Sequence, residues 1–143
     1  SVNDILSSED ISRIQNLVRR VPVPPHVIHY ALRIVRATRV TEQEGVPDFI
    51  PELLSWGAGP RAVQFLLLGA KAKAVMEGRS YATAEDLRAI VHPVLRHRII
   101  TTFKAESDGT TSDVVVDKLL ESISERHDDD KIAPALAGAF NAA

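Results

Sequence analysis

Cysteine is absent from all 143 residues. That excludes a disulfide framework, a thiolate nucleophile and a Cys-based zinc site. Aromatic residues make up only 5% of the chain, so the basic segments lack the interleaved rings typical of a nucleic-acid face. No apolar run approaches the ~20 residues needed to span a bilayer. The opening "SVNDILSSED" is polar and acidic, unlike a secretory signal, and a cytoplasmic setting is the expectation. Catalytic signatures are missing as well. There is no GxxxxGK[ST] phosphate loop, no GxSxG and no HExxH. "GAGPRA" has only the first two glycines of a dinucleotide fingerprint, and no strand pattern precedes it.

What remains is ordinary for a soluble globular domain: 45% hydrophobic and 25% charged, with a net charge of −2. The length suits one domain with a real core. Charge is unevenly spread. Residues 1–104 hold 14 Lys/Arg against 10 Asp/Glu, whereas residues 105–143 hold 3 against 9. The body is therefore mildly basic and the tail acidic.

Helical signals dominate. "LSSEDISRIQNLVRRV" offers Ser7 as N-cap with Asp10 three residues on. Ile11, Ile14, Leu17, Val18 and Val21 follow at helical spacing. Pro22 ends that helix, and Pro24 or Pro25 can open the next. The second helix sets Val27, Ala31, Ile34 and Val35 on one stripe. Residues 40–58 predict a packed loop with at most a short helical turn after Pro51. A long helix is expected from Pro60 to about Glu77, ended by Gly78 and buried nearly all round. Thr83 and Asp86 predict another capped start, and Pro93 should kink or split that helix. "RIITTFKAESDG" is β-branched and suits a short extended segment near 98–104. Thr111 caps a last helix. The expected fold is all-α: a four- to five-helix orthogonal bundle over residues 1–124, with a tail of small and acidic residues over 125–143 that orders only if docked.

Candidate sites are few. His26 and His29 stand i,i+3 on one helix, but no third ligand accompanies them, so no metal site is assigned. Glu85 and Asp86 fall in a helix's first turn, where carboxylates complement the dipole. Arg13, Arg19, Arg20, Arg33, Arg36 and Arg39 cluster in the first two helices and leave a nucleic-acid face open as an alternative. Arg61 is the most informative cation. It opens the long apolar helix, where the macrodipole disfavours a cation unless an anion meets it. Pro60 fits the first helical position, and Gly59 allows another backbone or a ligand to come close. Unbonded amides there would favour an anion, and the guanidinium fork matches phosphate. A plain ion pair of Arg61 with a local carboxylate such as Glu52 stands beside that reading.

Three motifs carry a family resemblance. "GAGPRA" resembles the sensor 2 motif G-A-x-P-R-A at the start of a lid helix. "GRSYATAEDL" resembles G-R-x-Y-V-T-x-x-D-V. "PVLRHRI" resembles the P-V-L-R-H-R that follows. With "LSSEDISRIQNLVRRVPV" and "IVRATR" upstream, residues 5–124 are similar to the helical lid of MoxR-type AAA+ ATPases. The tail from Glu125 has no counterpart. The resemblance implies that Arg61 is the sensor 2 arginine, reaching the γ-phosphate of ATP with Gly59 and Pro60 beside it. ATP and Mg²⁺ would be held mainly by a P-loop core not present in this sequence, so the chain alone is not expected to hydrolyse ATP. Ring oligomers, often hexamers, chaperone-like maturation work and von Willebrand factor A-domain partners are likewise implied. The family pattern includes Arg96, His97 and Arg98 without assigning them a role. The rival reading is a stand-alone helical interaction or DNA-binding module.

Overall fold

A computed structural model describes residues 5–41 and 44–125. Five longer helices build the body: α1 (Ser8–Arg20), α2 (Pro25–Ala37), α4 (Arg61–Met76), α5 (Ala84–Leu95) and α7 (Ser112–Ser122). Two short helices, α3 (Ile50–Leu53) and α6 (Phe103–Ser107), flank a two-stranded antiparallel ribbon of β1 (Leu54–Trp56) and β2 (Ile100–Thr101). The all-α bundle is therefore as expected; of the extended segment expected near 98–104 only Ile100–Thr101 is strand, and from Phe103 the chain turns helical as α6, capped by Thr102. The strand's partner β1 was not legible, because three residues are too few to show an alternating pattern.

Local chemistry sets the helix ends. Ser7 and Asp10 form a reciprocal capping box on α1, and Thr83 and Asp86 do the same on α5. Thr111 caps α7 by accepting from the Val114 amide. Pro24 is the N-cap of α2 and Pro25 its first residue. Gly78, at φ +69°, ends α4. The Gly78 and Arg79 amides then bond back to the carbonyls of Val75 and Ala74, closing a Schellman turn that only glycine enters without strain.

The core sits where α2, α4, α5 and α7 converge. Tyr30, Ile34, Leu66, Leu87, Leu95 and Leu119 are all fully buried there. Burying side chains of this size contributes roughly 1.5–3 kcal/mol each. Tyr30 brings a hydroxyl into this core, and Arg88 donates to it at 2.8 Å. Burial pushes the Tyr30 hydroxyl pKa up, with the Arg88 cation opposing.

Two expectations need correction. Pro93 does not split α5, which runs on to Leu95. It falls in the last turn, so only the final residues of the helix lie beyond the missing amide. Helix α4 is not buried all round: Phe65 and Leu68 are each 42% exposed and Met76 is 82% exposed. Its apolar surface is wider than the bundle can cover. Helix α1 also buries little of its stripe. Val18 and, at the C-cap, Val21 are buried, whereas Ile11, Ile14 and Leu17 remain exposed. The tail beyond Glu125 and His127 lie outside the described residues.

Candidate functional site

The loop before α4 is held from two sides. On one side the buried Thr38, at the end of α2, accepts from the Ala58 amide at 2.9 Å and donates to the Val35 carbonyl at 2.7 Å. Gly57 packs so closely on this point that a Cβ would lie 2.0 Å from the Thr38 carbonyl oxygen. No side chain fits there. On the other side the Ser55 hydroxyl lies 3.2 and 3.1 Å from the carbonyls of Ile100 and Thr101. The Thr102 amide and hydroxyl donate to the carbonyls of Leu53 and Glu52. Both clamps act within a few residues of Arg61, so they fix where α4 begins.

Arg61 is the first residue of α4, and its side chain is exposed. Among the described residues no hydrogen bond or ion pair engages its guanidinium. The pair with Glu52 is therefore not formed. Pro60 is the N-cap rather than the first helical residue, although its φ of −57° and ψ of −29° are already helical. Gly59 faces open space, where a Cβ would meet nothing within 4 Å. The first-turn amides are less available than the sequence suggests. Ala62 and Val63 donate to the carbonyls of Gly59 and Pro60 at 3.0 and 3.1 Å. What α4 presents to an anion is thus mainly the guanidinium and the positive end of a 16-residue helix.

The Arg96–His97–Arg98 triplet divides between two partners. Arg96 Nε lies 3.1 Å from Asp113 of α7. His92, one turn earlier, meets Asp117 at 2.9 Å. These contacts stitch α5 to α7. Arg98 turns the other way. It donates to the Val94 carbonyl at 2.6 Å, touches the His97 ring nitrogen and stacks over the Phe65 ring of α4 at 4.7 Å.

Of the basic cluster in the first two helices, Arg33 and Arg13 are engaged within the fold. Arg33 donates to the carbonyls of Ser124 and Glu125 at 3.1 and 3.0 Å, and so ties down the chain just beyond α7. Arg13 pairs with Glu9 along α1. His29 is buried and His26 half-buried on α2. Among the described residues no group of three or more His, Asp or Glu is placed to hold a metal. No described helix is long and apolar enough to cross a membrane.

The AAA lid domain family matches residues 50–119, which takes in the clamped loop, Arg61 and the α4–α5 pair. "Chaperone MoxR1" of Mycobacterium tuberculosis is 32% identical over 120 residues, covering 84% of this chain and 32% of that protein. This chain carries an AAA lid domain of the MoxR type. "Protein MoxR" of Methylorubrum extorquens is 43% identical over 47 residues, covering 33% of this chain and 14% of that protein. A crystal structure of a candidate ATPase from Cytophaga hutchinsonii superposes with a TM-score of 0.78 at 28% identity. The superposition covers 86% of this chain and 37% of that one. The chain thus spans about a third of the length of the curated chaperone and of the solved ATPase.

Sequence reasoning missed Thr38 and Gly57 as the parts that aim the lid helix. Only their contact, across 19 residues of sequence, reveals the clamp.

Proposed function

We propose that this lid senses bound nucleotide through Arg61 and converts nucleotide state into lid angle. The observation that carries the reading is an exposed guanidinium without a partner, set at the end of a loop clamped by Thr38 and by the β1–β2 ribbon. A guanidinium is a rigid planar fork whose geometry matches a phosphate edge. Held on a clamped loop at the start of a central helix, it would transmit a pull to the whole bundle rather than to a mobile loop. ATP would supply the terminal phosphate. With its Mg²⁺ it belongs to a P-loop core of the kind the resemblance implies, in the part of the relatives' length that this chain does not span. Gly59 and Pro60 shape the approach: the first leaves open space beside the backbone, and the second presets the helical φ.

Assembly into a ring of ATPase subunits, hexameric by family resemblance, extends this reading, as does work on other proteins in the manner of the relative named a chaperone. Partners with von Willebrand factor A domains and a cytoplasmic setting belong to the same proposal. The test is Arg61→Ala in the full-length ATPase. Losing one charge-stabilising donor at a phosphoryl-transfer site lowers turnover by about 10²-fold. The melting temperature of the lid stays unchanged, because the exposed Arg61 makes no hydrogen bond or ion pair among the described residues. Wild-type turnover in that variant would refute the assignment.

A further inference from the structure

Helix α1 is the least covered of the five longer helices. From Ile11 to Leu17 every residue is exposed, and the apolar Ile11, Ile14 and Leu17 among them are 47%, 43% and 54% exposed. Its hold on the body is concentrated at its last turn. There Val18 and, at the C-cap, Val21 are buried, and the Lys71 ammonium of α4 donates to the Arg19 carbonyl at 3.0 Å. Arg19 and Arg20 follow the apolar stripe. Both are exposed, and neither side chain has a hydrogen bond or ion pair among the described residues. The uncovered surface is thus an apolar stripe with two free cations at its C-terminal end.

Glu125 lies at that same end of the molecule. The Ala82 amide donates to the Pro22 carbonyl at 3.1 Å, which sets the exit of α1 against the start of α5. One turn into α5, Arg88 lies 3.8 Å from Glu125, while Arg33 of α2 holds the carbonyls of Ser124 and Glu125. The sequence that follows matches the uncovered surface in order. Asp128, Asp129 and Asp130 come first, within roughly 10 to 18 Å of extended chain from Glu125. Ile132, Leu136 and Phe140 come next at i, i+4 and i+8, a spacing that a helix brings to one face. A second apolar surface suits this sequence less well. It is the groove of about 340 Å³ where Phe65 and Leu68 of α4 face Pro93 and Val94 of α5. The cation in its lining, Arg98, stands beyond the last residue of α5, at the opposite end from Arg88 and Glu125.

We propose that residues 128–140 of this chain pack along its own α1. Asp128–Asp130 meet Arg19 and Arg20, and Ile132, Leu136 and Phe140 run back along Leu17, Ile14 and Ile11. The two segments are antiparallel, because the cations stand at the C-terminal end of α1 and the aspartates precede the apolar residues of the tail. Between molecules a contact of this size is weak. Within one molecule the short link from Glu125 to Asp128 holds the tail at an effective concentration on the order of millimolar. The contact turns α1 from an arm held at one end into a helix held along its length. It is independent of the role given to Arg61.

Paramagnetic relaxation enhancement on the 143-residue chain tests it. The sequence has no cysteine, so a nitroxide attached at Asn141→Cys reports from one place. The expected result is broadening of α1 amides centred on Ile11, unchanged when the labelled chain is diluted into an excess of unlabelled chain. Leu136→Glu abolishes the broadening and speeds hydrogen exchange of the α1 amides about tenfold. Arg19→Glu with Arg20→Glu also abolishes it. Adding Asp128→Lys, Asp129→Lys and Asp130→Lys to that pair restores it, and circular dichroism melts verify that each variant remains folded. Amides of α1 that stay sharp in the labelled wild type overturn the proposal. So does broadening centred on Phe65 and Leu68, which would put the tail in the α4–α5 groove, or broadening that disappears on dilution, the mark of a second copy. Failure of the three lysines to restore the contact overturns it equally.

Discussion

Gly57 and Gly59 are two residues apart, yet a methyl group would meet quite different surroundings at each. At Gly57 it would strike the Thr38 carbonyl; at Gly59 it would enter open space. Gly57→Ala is therefore expected to destabilise the fold by about 3 kcal/mol, the cost of forcing a side chain into a packed site. Gly59→Ala should stay within about 0.5 kcal/mol of wild type. Urea denaturation midpoints of the two variants measure the contrast, and equal midpoints would refute the clamp. Thr38→Val keeps the side-chain shape but leaves the buried Ala58 amide without its acceptor, at a cost of about 1–3 kcal/mol. Arg61 belongs to the other class of residue. Its side chain is exposed and its guanidinium has no partner among the described residues, so its removal should register in turnover and not in stability.

At the scale of elements, the α4–α5 pair is the stiff center of the domain. Gly69 of α4 lies so near Ile90 of α5 that an added Cβ would sit 2.5 Å from Ile90 Cγ2. Gly69→Ala gains about 1 kcal/mol of helix propensity but loses more through the collision. With Ile90→Ala also present, the collision disappears and the propensity gain emerges. A double-mutant cycle on denaturation free energies reads that sign change. The start of α5 predicts a pH effect. The Arg79 guanidinium is the main cause holding the Asp86 carboxyl down to about 2, from an ordinary 3.8. Burial opposes it, and the Thr83 amide and hydroxyl assist. A depressed carboxyl stabilises the fold above its unfolded pKa, and that stabilisation is lost as pH falls through the folded value. Wild type should therefore lose on the order of 2 kcal/mol from this site between about pH 4 and pH 2. The wild type-minus-variant difference for Asp86→Asn should shrink over that window. A difference independent of pH would rule out the ion pair as its cause.

On the scale of the whole molecule, two exposed features share one side of α4: the Arg61 guanidinium and, one turn on, the groove that begins at Phe65. The chain alone holds no phosphate loop, so isothermal calorimetry is expected to find ATP binding weaker than about 1 mM. Micromolar binding would mean that the described helices build a nucleotide site of their own.

Much of this could be read from residues alone. Caps at Ser7, Thr83 and Thr111, the stop at Gly78, the proline breaks and Arg61 as the outlying cation depend on contacts within a few residues, which spacing records. The all-α body followed from the same periodicity. What spacing cannot record is which face of an apolar helix meets a neighbour. Helix α4 is apolar on nearly every side, so its pattern does not tell the core face of Leu66 and Ala70 from the outer face of Phe65 and Leu68. Nor does it show which way a cation turns. Arg96 goes to Asp113, Arg98 to Phe65 and Arg33 to the chain just beyond α7, and each choice depends on residues far along the chain. The sequence by itself determined the five longer helices, the caps that start α1, α5 and α7, and the arginine that stands at the head of α4; it did not show α6, which falls where an extended segment is expected. The tertiary structure alone decided that Thr38 and Gly57 aim that arginine, and that α4 and α5 leave a groove open beside it. Close approach between distant segments is a property of packing, and no local pattern encodes it.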